Sequence, residues 1–296
     1  MLNSGYFYLV IIYIVWGTTY LAMRVGVGPG SGFPVFSFGA ARCLAAAGLL
    51  FLIARLRSQR ISLSRRELGF LAATGIGMWV MAHGLVLVAE QYIASGFAAV
   101  AVSTSPIWVL LFTAWMHKTR PDWRQGLFVL VGFLGVVSLI YPELRHSSFH
   151  GTFSVVLLVV APICWAVSSL VVRRYPQRLS TFTVSAYQHL FGGLGFGILS
   201  LLSREPWPAP TPAAWTALGF LVVFGSVIAF TSFIKALSLL PTQVVTTNTY
   251  VNPIIAVILG ALILREQVTV WTLAAMVLVG LSVAGVIRSQ SGTSPG

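Results

Sequence analysis

Trp16 and Tyr20 stand four residues apart, as do Trp79 and His83, and Trp165 and Ser169. On a helix that spacing puts both members of a pair on one face. All six fall inside long apolar stretches, where a ring with a polar edge suits a cavity wall. Tyr187, with His189 close by, and Tyr250, beside Pro253, add further groups of this kind. The chemistry open to such a set is non-covalent: stacking on an apolar solute and dipole contacts to its polar ends. The competing explanation for each is plain packing, or the aromatic belt of a membrane interface.

Pro106 and Pro253 interrupt two of the stretches at matching places. Each removes a backbone N–H and frees the carbonyl one turn earlier, at Val102 and Thr249. In a membrane that carbonyl needs a Ser or Thr partner, or a wet cavity to line. Ser103, Thr104 and Ser105 flank the first proline, and Thr246 to Thr249 with Asn252 flank the second. Paired interruptions in the two halves of a chain point to a solute site near the bilayer midplane. Ionisable groups within the stretches are few: Arg42, His83 and His189, with Glu90 and Lys235 near helix ends. Glu90 and Lys235 are expected to snorkel to the interface, and Arg42 to bond helix-end carbonyls. No Asp or Glu lies mid-span, so movement down a gradient is expected, with His83 the one group suited to proton coupling.

The elements that must position these residues come in two copies. Trp16, Leu21 and Arg24 recur as Trp165, Leu170 and Arg173; Pro106 recurs as Pro253, and Trp123 and Gly132 recur as Trp271 and Gly280. Hydropathy predicts helices at 6–24, 34–54, 68–89, 94–115 and 123–141, then 152–172, 181–202, 213–235, 243–263 and 268–287. Five spans per copy is an odd number, so the second copy must enter the membrane from the other side. The expected fold is all-α and integral to the membrane: ten helices in two inverted five-helix repeats around a central cavity. The repeats run 1–144 and 145–296 and pack as one structural domain. Mid-span glycines such as Gly132, Gly192, Gly193, Gly280 and Gly285 are expected to let helix backbones approach closely.

Composition agrees. Hydrophobic residues make up 57% of the 296 and charged ones 8%, against about 25% charged in a soluble domain. The net charge of +12 sits mostly in loops: Arg55 to Arg66, Lys118 to Arg124 and Arg173 to Arg178. With both termini cytoplasmic, thirteen Lys and Arg fall inside and four outside, with Arg42 within a span. That is a positive-inside bias, so the charge marks topology and no nucleic-acid partner is expected. Cys43 and Cys164 lie within apolar stretches and are expected as buried thiols. The N-terminal stretch carries Trp16 to Tyr20 and no basic lead, which fits a retained first helix. P-loop, dinucleotide and HExxH patterns are lacking; no enzyme activity, cofactor or metal is expected.

The opening Trp16-Gly-Thr-Thr-Tyr-Leu-Ala-Met-Arg24, its echo from Cys164 to Arg174, the Ser105-Pro106 and Asn252-Pro253 steps and Leu264-Arg265-Glu266 carry a resemblance. The chain resembles the drug/metabolite transporter superfamily, in its ten-helix type with two EamA-like repeats. It departs from pattern where His117-Lys118-Thr119-Arg120 replaces the usual Gly-Glu. Within that superfamily it is similar to the bacterial aromatic amino-acid exporters. The resemblance implies a monomer in the bacterial inner membrane, surrounded by lipid, that exports amino acids such as Phe, Tyr, Trp and Met. The alternative is an exporter of organic cations or other small metabolites, using cation–π contacts with Trp79 and Trp165.

Overall fold

The computed structural model of the chain describes residues 2–118, 123–146, 149–174, 179–246 and 248–291. Among these residues every element is helical. Helices α1 (Leu2–Val27) and α2 (Val35–Leu56) are followed by α3 (Arg65–Gly75), which passes through a π-helical segment, Ile76–His83, into α4 (Gly84–Ala89). Then come α5 (Ser95–Val102), α6 (Ser105–His117), α7 (Trp123–His146), α8 (Phe149–Arg174) and α9 (Thr181–Leu202). The remainder repeats the pattern: α10 (Pro212–Phe220), a second π-helical segment Leu221–Phe230, α11 (Thr231–Leu239), α12 (Thr242–Val245), α13 (Asn248–Leu264) and α14 (Val270–Ser291).

Six stretches are long and apolar enough to cross a membrane: Gly5–Val27, Val35–Leu56, Arg65–Ala89, Ser95–His117, His150–Arg173 and Pro212–Leu239. Three shorter apolar helices, Trp123–Ser138, Val251–Leu264 and Val270–Ser282, add to them. Helix α9 has the length, at 22 residues, but Gln188, His189 and its glycines dilute its hydropathy.

Matching helices of the two copies lie side by side, α2 along α9 and α7 along α14, while α1 packs on α13. Small residues set the α7–α14 distance. A Cβ added at Gly132 would fall 2.5 Å from Ser282 Oγ, and one at Gly285 2.1 Å from Phe128 Cδ1. Gly280, expected to pack likewise, has no such neighbour within 4 Å. Cys43 is buried as expected, but Cys164 is only partly so.

The two ends of the bundle differ. At one, the Glu205 carboxylate accepts from the N–H groups of Phe36 and Ser37, both at 2.8 Å, and so caps the start of α2. The proline-rich segment after it is pinned by Ala209 and Thr211 N–H donating to the Gly32 and Ser31 carbonyls. At the opposite end lie the arginine-rich turns, where Ser64 and Glu67 form a reciprocal cap on α3 and Arg60 pairs with Glu67 at 3.1 Å.

The two prolines sit differently in their helices. Helix α5 ends at Val102 and α6 restarts at Ser105, with Pro106 in its first turn, where a missing N–H costs nothing. The Val102 carbonyl accepts from the Ser105 hydroxyl at 2.7 Å. In the second copy the interruption falls earlier, between α12 and α13, and Pro253 sits inside α13.

Candidate functional site

Trp16 on α1 and Trp165 on α8, equivalent positions of the two copies, meet edge to face with centroids 5.5 Å apart. Phe233 touches both, at 5.0 and 5.1 Å. Trp16 Nε1 donates to the Gly225 carbonyl at 3.3 Å, so the polar edge of a buried ring is satisfied. His83 sits 5.6 Å from Trp165 and 4.7 Å from Trp79. Beside this cluster opens a cavity of about 60 Å³, room for a few waters.

Trp16, Tyr20, His83 and Trp165 line it, and both helix interruptions reach it: Ser103 and Ser105 from the first, Thr246, Asn248 and Asn252 from the second. No Asp, Glu, Lys or Arg is among the described lining residues. The wall is apolar and aromatic with neutral dipoles, which suits a solute of little net charge. Asn252 Oδ1 has no hydrogen-bond partner among the described residues.

Trp79, Ser169 and Tyr187 are not among the described residues that line this cavity. Trp79 stands behind His83, 1% exposed. It lies on a π-helical segment, and its ring still meets His83 as the spacing predicts, but it packs against His189 and Phe230. Ser169 is buried and spends its hydroxyl on the Trp165 carbonyl at 2.7 Å, a bond within its own helix. Tyr187 is at the arginine-rich end, its hydroxyl donating to the Ile61 carbonyl at 3.0 Å and its ring against Phe51 at 4.8 Å. Tyr250 lies on α13, and its side chain is outside the described residues.

Among the described residues Arg42 bonds a hydroxyl and not the helix-end carbonyls expected of it. It is 1% exposed, its Nε 3.1 Å from Ser226 Oγ, and its guanidinium carbon 4.9 Å over the Trp79 ring. Glu90 does not snorkel: it is fully buried, while Arg24 Nη1 donates to its backbone carbonyl. Sequence reasoning passed over Thr19, Met23 and Val86, which also line the cavity. Thr19 and Met23 were findable, one turn of α1 from Trp16 and Tyr20.

The profile of the EamA-like transporter family matches residues 3–141 and 152–288. YedA, an uncharacterized inner membrane transporter of Escherichia coli (strain K12), is 30% identical over 255 residues, covering 84% of this chain and 79% of its own. YoaV, an uncharacterized transporter of Bacillus subtilis (strain 168), is 20% identical over 88% of this chain and 89% of its own. An uncharacterized transporter of Archaeoglobus fulgidus is 22% identical over 93% and 95%. One crystal structure superimposes with a TM-score of 0.70 over 96% of this chain and 97% of that one, at 18% identity, which speaks for the fold alone. The two matched segments coincide with the two copies that bring Trp16 against Trp165, and the chain belongs to the EamA-like transporter family of multi-pass membrane transporters.

Proposed function

We propose that the protein exports amino acids from the cytoplasm, aromatic ones and other neutral ones such as Met, by alternating access. In this reading it has ten spans, in inverted repeats 1–144 and 145–296, and works as a monomer with both termini cytoplasmic. One observation carries the substrate class: an aromatic cavity free of charged walls, bordered by two helix interruptions. A zwitterion has little net charge, so backbone and amide dipoles at the interruptions can hold its ends without a counter-ion. An organic cation is the second choice, because the rings offer cation–π contact but the walls offer no carboxylate.

Flux of labelled Phe, glucose phosphate and a lipophilic cation in proteoliposomes of the purified protein tests this. Phe is expected to move and the other two to stay. Trp165→Ala should slow Phe more than Thr, by roughly 2- to 10-fold, matching an aromatic pair term of about 0.5–1.5 kcal/mol. Equal slowing of Phe and Thr at normal expression would make Trp165 a packing element.

Orientation has its own check. Ser62 is exposed on the arginine-rich turn, so Ser62→Cys should react with an impermeant maleimide only in opened cells. Labelling in intact cells would reverse the proposed topology.

A further inference from the structure

Arg24 Nη1 at the end of α1 donates to the carbonyl of Glu90, the residue that caps α4. In the second copy Arg173 Nη1 donates at 2.8 Å to the carbonyl of Leu240, the residue that caps α11, and lies 3.2 Å from Thr242 Oγ1. The same latch is thus built twice, at opposite ends of the bundle. Leucine suffices at one end, so the side chain at this position serves no need of the latch itself. Yet at the other end it is a carboxylate, 0% exposed, and neither oxygen has a hydrogen-bond partner among the described residues.

An enclosed carboxyl group without donors is far cheaper as the neutral acid than as the anion. The charged and titratable groups that face it are Tyr20 and Arg24 from α1, Arg42 from α2, and Glu266 beyond α13. The two arginines favour the anion, Glu266 opposes it, and burial outweighs both arginines. If this end separates during transport, water reaches the group and the balance reverses.

We infer that Glu90 is a proton-binding site that gates the outer end: the end closes only when Glu90 takes up a proton from the external side. On closing, one proton passes from external water to a carboxylate oxygen, and Arg24 returns to the Glu90 carbonyl. On opening, the latch parts and the proton goes back to water. The sign follows directly. Lower external pH favours the closed outer end, and higher pH favours the open one. The inference rests on the orientation proposed above, with the arginine-rich end inside, but on no particular substrate. It also supplies the carboxylate that the spans lack.

The test reads cavity access from outside. In a Cys43→Ser, Cys164→Ser background, Met23→Cys reports on the cavity wall. Trp207→Cys reports on the outer loop, where Trp207 is 93% exposed. Each is labelled in intact cells with an impermeant maleimide across external pH 5.5 to 8, and the Met23→Cys rate is divided by the Trp207→Cys rate, which removes the pH dependence of the thiol. The ratio should fall at least about fivefold from the top to the bottom of the range, since one proton permits up to tenfold per pH unit. With Glu90→Leu, which copies the second latch, the ratio should stay low and flat. A flat ratio with Glu90 intact overturns the inference, and needs no variant at that position to fold. A slope that persists in Glu90→Leu overturns it as well. Failure of Trp207→Cys to label overturns the external placement together with the orientation.

Discussion

Trp79→Ala should cost the purified protein about 3–5 kcal/mol of stability, the range for removing a fully buried large aromatic side chain. The ring is 1% exposed and closed in from every side: His189 at 4.2 Å, His83 at 4.7 Å, Phe230 at 5.1 Å and the Arg42 guanidinium at 4.9 Å. A Cβ placed at Gly192 would lie 2.5 Å from the Trp79 Cβ, so α9 is seated directly on this residue. Removing the indole leaves a void bordered by two histidines and strips Arg42 of the ring face that partly compensates its burial. A thermal unfolding scan in detergent should show a fall of roughly 10 °C. Trp79→Phe should fall much less, because a ring still fills most of the space. A Trp79→Ala midpoint within a couple of degrees of the parent would mean that the cluster is looser than its contacts indicate. The expected loss is one of stability; for selectivity the informative ring is Trp165, which faces the cavity.

That division could not be read from spacing alone. Trp16 and Trp165 were legible because the repeat itself names them: equivalent residues of two packed copies meet where they lie close to the axis that relates the copies. Tyr20 and His83 were legible by one-turn spacing from Trp16 and Trp79, although Trp79 itself turns away. The π-helical segment Ile76–His83, repeated at Leu221–Phe230, was not legible either. A wider turn leaves no mark in composition, whereas every projection from sequence assumes 3.6 residues per turn. Tyr187 failed differently. Its position within a span predicted an inner ring, but its partner is a carbonyl of the turn at Ile61, more than a hundred residues away in sequence. Glu90 failed likewise: it is buried, and the group that bonds its carbonyl is Arg24 of another helix. Local pattern gave helices and faces, while the partners that decide burial were non-local.

Glu266→Ala should lower stability by about 2–3 kcal/mol, as expected for losing charge-assisted hydrogen bonds to buried groups. The carboxylate belongs to the second copy but caps a helix of the first. Its Oε1 accepts from the Ser95 N–H at 2.9 Å, and its Oε2 from the Ser95 hydroxyl at 2.8 Å and the Gly96 N–H at 3.4 Å. Ser95 is fully buried, so without the acid the first N–H groups of α5 lose their side-chain acceptor. The acid is aimed by its own N–H, which donates to the Gly260 carbonyl at 3.0 Å and folds the chain back over the end of α13. The contact also gives the sequence asymmetry a physical meaning. In the first copy Lys118 stands near the matching place, in a left-handed turn, and Pro241 before α12 offers no side-chain cap. The cross-copy acid therefore ties the halves at the Glu90 end, whereas at the opposite end the cross-copy bonds run from the Thr183 and Tyr187 hydroxyls to the Arg60 and Ile61 carbonyls. Glu266→Gln keeps one acceptor oxygen without the charge, so its unfolding midpoint should lie between the parent and Glu266→Ala. If Ala and Gln unfold alike and close to the parent, the α5 N–H groups are paired some other way, and the cross-copy acid is not what holds this end.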